Sequence, residues 1–169
     1  MTEKTHAKIW LWPIGTFLLI GAFGYGARQA IGTIYFSSEA VVLLESLARS
    51  GLYLGSASAT ASATTLALML TLIGMVRRSE HDFNAEVYRN IGRIAWLSTI
   101  SLMTSLMLLL VLVFPVGEFE GIPDRWYPNL YNGLFAGTVL VVALLAATVV
   151  MLYRTIRHVL AHITPGDEV

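Results

Sequence analysis

Cysteine is missing from the sequence altogether. Without thiols, the chain forms no disulfides, thiolate metal sites or iron–sulfur clusters, and it has no cysteine nucleophile. The same absence leaves the redox compartment of the protein undetermined. The fold therefore has to be held by packing and hydrogen bonds rather than by covalent cross-links.

Charged residues are also scarce. They make up 13% of the 169 residues, whereas 56% are hydrophobic and the mean hydropathy is +0.67. Ordinary soluble domains have about 25% charged residues. The formal net charge is zero, so the chain offers no basic field for nucleic acid, and we expect no nucleic-acid partner. This composition predicts an integral membrane protein in contact with the lipid bilayer.

No charged residue and no histidine lies deep in the apolar segments of the sequence. Ionisable residues within the membrane are typical of proton relays and voltage sensors, and paired histidines are typical of haem-binding helices, so these classes are disfavoured. No nucleophile with a base, phosphate-binding loop or zinc-protease motif is present. The sequence therefore predicts a protein that is not an enzyme and that carries no cofactor.

Four segments contain the roughly 20 mostly apolar residues that a transmembrane helix needs. They cover residues 9–27, 51–76, 94–116 and 130–153. No internal repeat or Pro/Gly-rich linker marks a second domain, so residues 1–169 are predicted to form a single membrane domain. The predicted fold is all-α, a bundle of four transmembrane helices.

The distribution of Lys and Arg predicts the orientation of this bundle, because short cytoplasmic loops carry an excess of both. One side carries Arg28, Arg49 and Arg125. The opposite side carries the other basic residues, which are Lys4, Lys8, Arg77, Arg78, Arg89, Arg93, Arg154 and Arg157. We therefore expect both termini to be cytoplasmic (N-in/C-in), and the short loops are typical of a protein of the bacterial inner membrane.

Two connecting segments have helical patterns. Residues 38–50 begin with Ser38 placed as an N-cap and continue with apolar residues at helical spacing. They predict either an amphipathic helix on the outer surface or an extension of the second span, and Gly51 slightly favours a break. On the cytoplasmic side, residues 79–82 form a variant of the capping box, which predicts that the third helix begins outside the membrane. Spans two and three would then form a long helical hairpin that ends in the cytoplasm.

The second span is rich in small residues, and residues 55–65 read GSASATASATT. Helices in lipid associate through close packing and interhelical hydrogen bonds, so small residues four apart predict helix contacts. The predicted packing residues are Gly51, Gly55, Ala59, Ala63 and Ala67 in the second span, and Gly133 and Gly137 in the fourth.

Hydroxyl groups lie on two opposite faces of the second span when residues are placed 100° apart. The third span carries a serine stripe of its own, so one of the two faces is expected to hydrogen-bond within the hairpin. The other face then needs a different partner, although a hydroxyl can also bond to its own helix backbone. One face comprises Ser56, Thr60, Thr64 and Thr71, the opposite face comprises Ser58, Ser62 and Thr65, and the third span contributes Ser98, Ser101 and Ser105.

Two functions fit this pattern. In the favoured one, copies of the protein assemble into a homo-oligomeric channel or passive transport subunit, and the first hydroxyl face lines a shared path. Hydroxyls replace part of an ion's hydration without holding it too tightly to leave. In the alternative, the protein is a non-catalytic accessory or scaffold subunit that docks a larger membrane complex. The charges predicted at the mouths of a channel are Glu45, Arg49, Arg77 and Arg78.

The histidines suggest one candidate metal site. His158 and His162 are four residues apart, so they share one face of a continuous helix at a spacing that allows two imidazoles to hold one metal ion. His81, near the cytoplasmic turn, is a candidate third ligand. The alternative is a solvated basic helix face whose cations lie near a helix C-terminus, which is a favourable position for them.

Overall fold

Helices make up all the regular secondary structure in the described part of the chain. The computed structural model describes residues 3–31, 37–78, 85–113 and 126–163, with side chains described within 11–30, 43–75, 88–113 and 126–157. The helices are α1 (Glu3–Ile31), α2 (Ser37–Arg78), α3 (Ala85–Val113) and α4 (Trp126–Ile163). The prediction of an all-α fold with four helices is confirmed.

Three of the described helices are long and apolar enough to cross a membrane. They contain the segments Leu43–Met75, Tyr88–Val113 and Trp126–Arg157, and α1 is not among them. These segments include most of the second, third and fourth predicted spans. The chain therefore has the helix lengths and apolarity of a membrane protein.

Helix α2 is continuous through Gly51, where the sequence slightly favoured a break. The segment 38–50 is thus an extension of the second span and not a separate helix on the surface. A Cβ atom at Gly51 would lie 2.9 Å from Cδ1 of Leu112 in α3. This glycine therefore allows close helix packing and does not end a helix. At 42 residues, α2 is about 63 Å long, roughly twice the hydrocarbon thickness of a bilayer.

Helices α2, α3 and α4 all pack against one another, whereas α1 packs mainly against α4. Helix α1 is consequently at the edge of the bundle. The connections at 32–36, 79–84 and 114–125 lie outside the described residues, and with them the predicted capping box at 79–82.

The core of the three central helices is layered along the bundle. One apolar cluster contains Leu44, Leu112 and Tyr131, and a second, towards the other end, contains Met69, Ile94 and Met151. Several serines of α2 and α3 are at most 2% exposed. Along each of these helices they lie between the residues of the first cluster and those of the second. These five residues, Ser58, Ser62, Ser98, Ser101 and Ser105, are called the serine layer below.

Candidate functional site

The serine layer joins α2 to α3 through side-chain hydrogen bonds. The hydroxyl of Ser62 donates to Oγ of Ser101 at 3.0 Å. Ser105 donates to the Ser101 carbonyl at 2.8 Å, and its Oγ also lies 3.1 Å from Oγ of Ser58. Because a hydroxyl carries one hydrogen and two lone pairs, Ser105 can accept from Ser58 while it donates to the carbonyl. This is the bonding within the hairpin that the sequence predicted for one hydroxyl face.

Two residues of the predicted stripes do not take part in these interhelical bonds. Oγ of Ser98 is buried and has no hydrogen-bond partner. Thr65 is half-buried and donates to the carbonyl of Ala61 in its own helix at 2.8 Å. The bonds between the two helices therefore come from Ser58, Ser62, Ser101 and Ser105.

The opposite face of α2 is exposed from Ser56 to Thr71. Ser56, Thr60, Thr64 and Thr71 are all exposed, and the three threonines each donate to the carbonyl four residues earlier, at 2.9, 2.8 and 3.0 Å. The donors of these threonines are therefore satisfied without water, while oxygen lone pairs remain on the surface. From Ser56 to Thr71 this exposed face is about 22 Å long, most of the thickness of a bilayer's hydrocarbon core.

The small residues of α2 divide between two faces. A Cβ atom at Gly55 would lie 3.0 Å from Cδ2 of Leu109, so Gly51 and Gly55 both pack closely against α3. Ala59 is half-buried, and Ala63 and Ala67 are exposed. Residues four apart on an α-helix are offset by about 40° around its axis. The row of small residues from Gly51 to Ala67 therefore moves gradually from the contact with α3 to the exposed face.

The two glycines of α4 also differ in their surroundings. A Cβ atom at Gly137 would lie 3.2 Å from Cδ1 of Leu108, whereas Gly133 has no such neighbour within 4 Å. Both glycines line a cavity of about 390 Å³ between α3 and α4. Close packing against α3 is thus found at Gly137 and not at Gly133.

Two of the charges predicted at the channel mouths lie on the exposed face of α2. Glu45 and Arg49 are exposed, and because α2 is continuous they fall in the same angular sector as Ser56 and Thr60. Tyr53, which is 77% exposed, stands in this sector between the charges and the hydroxyls. Tyr53 was not among the predicted site residues, although the same 100° spacing places it on this face. Arg77 and Arg78 end α2, and their side chains lie outside the described residues.

The predicted metal-binding histidines belong to one continuous helix. Helix α4 extends to Ile163, so His158 and His162 share a face, but their side chains, like all of His81, lie outside the described residues. Among the residues that are described, no group of three or more His, Asp or Glu side chains is placed to hold a metal ion.

The contact between α1 and α4 contains residues that sequence reasoning did not connect. Nε of Arg28 donates to Oδ1 of Asn132 at 2.7 Å. At the other end of the contact, the guanidinium of Arg154 lies 5.8 Å from the ring centre of Trp12, within range of a cation–π interaction. The partners are more than 100 residues apart in sequence, so no local pattern indicates the pairing.

A groove runs along this α1–α4 contact. It has a volume of about 290 Å³, and apolar side chains and two glycines form most of its lining. Its lining residues are Phe17, Gly21, Gly24, Tyr25, Arg28, Asn132, Phe135, Ala136, Val139, Leu140 and Ala143.

Comparisons of the chain with models of known protein families, with curated proteins and with solved structures find no match.

Proposed function

We propose that the protein is a homo-oligomeric channel or passive transport subunit of a membrane. In this proposal the exposed hydroxyl faces of several α2 helices surround a shared axis. The observation that carries it is the contrast between the two hydroxyl faces of α2. On one face Ser58 and Ser62 are buried and hydrogen-bonded to α3. On the other, Ser56, Thr60, Thr64 and Thr71 remain exposed over about 22 Å.

The packing of a single chain supports an axis between copies rather than within one copy. Between α2 and α3 the centre of the bundle is filled by the serine layer, and apolar clusters flank it. Ser56, Thr60, Thr64 and Thr71 have small side chains, so neighbouring copies of α2 can approach closely at these residues and still leave hydroxyl oxygens facing the axis. A ring of such oxygens offers partial replacement of an ion's hydration shell.

In the proposed arrangement all four helices cross the membrane, including α1 as the first span, and both termini are in the cytoplasm. The excess of Lys and Arg at that side supports the orientation, and the short loops suggest a bacterial inner membrane. Glu45 and Arg49 then stand at the outer mouth of the path and Arg77 and Arg78 at the inner one. Basic rings favour anions and acidic rings favour cations, so this mixed set leaves the sign of the permeant ion open.

A second function has its own supporting observation. The hydroxyls of Thr60, Thr64 and Thr71 already donate to carbonyls of α2. A face whose donors are satisfied and whose side chains are small is also suited to burial against another helix. In that case the protein is a non-catalytic accessory or scaffold subunit, and the exposed face of α2 docks a larger membrane complex.

The mass of the native protein in nanodiscs or mild detergent is the first test. A closed ring of several copies is expected for the channel, whereas a monomer rules out a path shared between copies. The absence of native cysteine allows a second measurement, in which Thr60→Cys and Thr64→Cys are treated with a water-soluble maleimide. Labelling of both positions in the assembled protein supports a wet path, and protection of both supports docking against another chain.

Ion flux into proteoliposomes that contain the protein tests the role of the exposed hydroxyl face of α2 directly. Thr64→Leu is expected to abolish flux and to leave the assembly intact, because it places a bulky apolar side chain on the path. Thr99→Leu is the matched control: Thr99 is also exposed and bonded to its own helix, at 2.9 Å from the Ala95 carbonyl, but it belongs to α3. Undiminished flux in the Thr64 variant would remove this residue from the path.

A further inference from the structure

The groove between α1 and α4 has a polar end and an apolar body. Arg28 and Asn132 lie at one end, and Phe17 and Ala143 lie at the other. Along each helix the groove extends over 12 residues, and the 11 steps between them correspond to about 16 Å. This length is roughly half of a 30 Å hydrocarbon core, so it matches one leaflet of a bilayer.

The polar end has the features of a membrane interface. Arg28 belongs to the last turn of α1, and Tyr25 lines the groove one turn before it. Tyrosines are enriched at the depth of lipid headgroups. The bond from Nε of Arg28 to Oδ1 of Asn132 holds the guanidinium at this end of the groove. A guanidinium recognises phosphate well because its planar fork matches the phosphate oxygens.

The apolar part of the groove is open because glycine lines it. No atom lies within 4 Å of the place where a Cβ of Gly21 would be, so the missing side chain leaves open space. At Gly24 the two helices come close together, since a Cβ there would lie 2.6 Å from Cγ1 of Val139. An extended hydrocarbon chain fits beside such a contact, where it gains dispersion contacts with both helices.

We propose that this groove binds one anionic phospholipid. Its phosphate lies at Arg28, and one acyl chain lies along Gly21 towards Phe17. The occupant follows from charge and length together: an apolar slot one leaflet deep ends at a cation, and an anionic lipid offers a chain and a negative phosphate at that separation. This site is distinct from the exposed face of α2 on which the proposed function rests.

Native mass spectrometry of the full-length protein in mild detergent tests the proposal, with phosphatidylglycerol and phosphatidylcholine added separately. The wild-type protein is expected to retain one phosphatidylglycerol per chain and to bind phosphatidylcholine more weakly. Gly21→Leu fills the groove without a backbone clash and is expected to lose the bound lipid. Gly26→Leu is its matched control, because Gly26 is exposed on the same helix, has the same open surroundings and does not line the groove.

The role of the charge is tested with Arg28→Gln. This variant is expected to bind phosphatidylglycerol about fivefold less tightly, as one basic residue contributes about that factor near an anionic lipid surface. It should bind phosphatidylcholine as the wild-type protein does. Arg49→Gln removes the same charge from an exposed position on α2 and should leave the binding of both lipids unchanged. Far-ultraviolet circular dichroism confirms that each variant retains its helices.

Three results would overturn the proposal. Equal retention of the two lipids by the wild-type protein would contradict recognition of the headgroup. Retained phosphatidylglycerol in a folded Gly21→Leu variant would place the lipid elsewhere. A dimer that carries no lipid and that Gly21→Leu dissociates would assign the groove to a second copy of the chain.

Discussion

Five serine side chains determine how closely α2 and α3 approach each other in the middle of the bundle. Serine is small, so it permits close contact of the two helices, and its hydroxyl bonds across the interface as Ser62 does to Ser101. Such bonds within a membrane contribute on average about 0.6 kcal/mol each, and up to about 1.7. Ser98 lies in the same layer but leaves its Oγ without a partner, which carries a desolvation cost.

This difference predicts opposite effects of two alanine substitutions. Ser105→Ala removes the contacts of Ser105 with Ser58 and Ser101 and should lower the free energy of unfolding by about 0.6 to 1.7 kcal/mol. Ser98→Ala removes a hydroxyl that makes no bond and should leave stability unchanged or raise it. Unfolding by titration with dodecyl sulfate measures both. A larger loss for Ser98→Ala than for Ser105→Ala would contradict the bonding described for the serine layer.

At the scale of helices, α1 and α4 are in close contact at Gly24 and Val139. A Cβ atom at Gly24 would lie 2.6 and 2.7 Å from the two Cγ atoms of Val139, and 3.2 Å from its Cβ. Valine has few side-chain rotamers in a helix, so it cannot turn away easily. The contact therefore requires glycine at position 24.

Gly24→Ala is expected to destabilise the docking of α1 by about 1 to 3 kcal/mol, the usual cost of overpacking. Adding Val139→Ala should recover much of this loss, because it removes the two Cγ atoms that the new methyl group meets. Gly26→Ala serves as the control for the change in helix propensity, since nothing lies within 4 Å of a Cβ there. The three variants can be compared by titration with dodecyl sulfate. Equal stability of the variants at positions 24 and 26 would show that the helices are not in close contact at Gly24.

Helix α2 combines two structural roles that a shorter helix would separate. One face packs against α3 through Gly51, Gly55 and the serine layer, and the other carries the exposed hydroxyls. Because the helix does not break at Gly51, Glu45 and Arg49 continue the exposed face beyond the hydroxyls. A break at Gly51 would free these charges from that alignment.

At the scale of the whole molecule, the chain consists of a central group of three helices and one helix at the edge. Helices α2, α3 and α4 contact one another, while α1 depends mainly on α4. Several large side chains of α1, including Leu19 and Phe23, are exposed, whereas Ile91 and Ile94 of α3 are fully buried. Regions with few buried contacts open locally at a lower free energy than the core does.

Backbone amide exchange of the protein in mild detergent should therefore differ between the helices. Amides of residues 14–24 in α1 are expected to exchange faster than those of residues 91–101 in α3, as read by mass spectrometry of peptides. A slower rate in α1 after addition of phosphatidylglycerol would add support for the lipid groove. Equal protection of both helices without lipid would contradict the position of α1 at the edge of the bundle.

Local information in the sequence was sufficient for the helices and for their faces. Runs of apolar residues predicted the all-α fold and four spans, and three of the described helices are long and apolar enough to cross a membrane. The 100° spacing predicted two opposite hydroxyl faces on α2, of which one bonds to α3. Hydropathy and periodicity depend on residues that are near one another in the chain, so they can be read without knowing the fold.

Tertiary structure alone decided which faces meet. The row from Gly51 to Ala67 looks uniform in sequence, but its gradual rotation and the position of α3 bury one end and expose the other. The pairs Arg28–Asn132 and Gly24–Val139 join residues more than 100 positions apart. Such contacts depend on how whole helices are placed against each other, and no short-range pattern in the sequence encodes that placement.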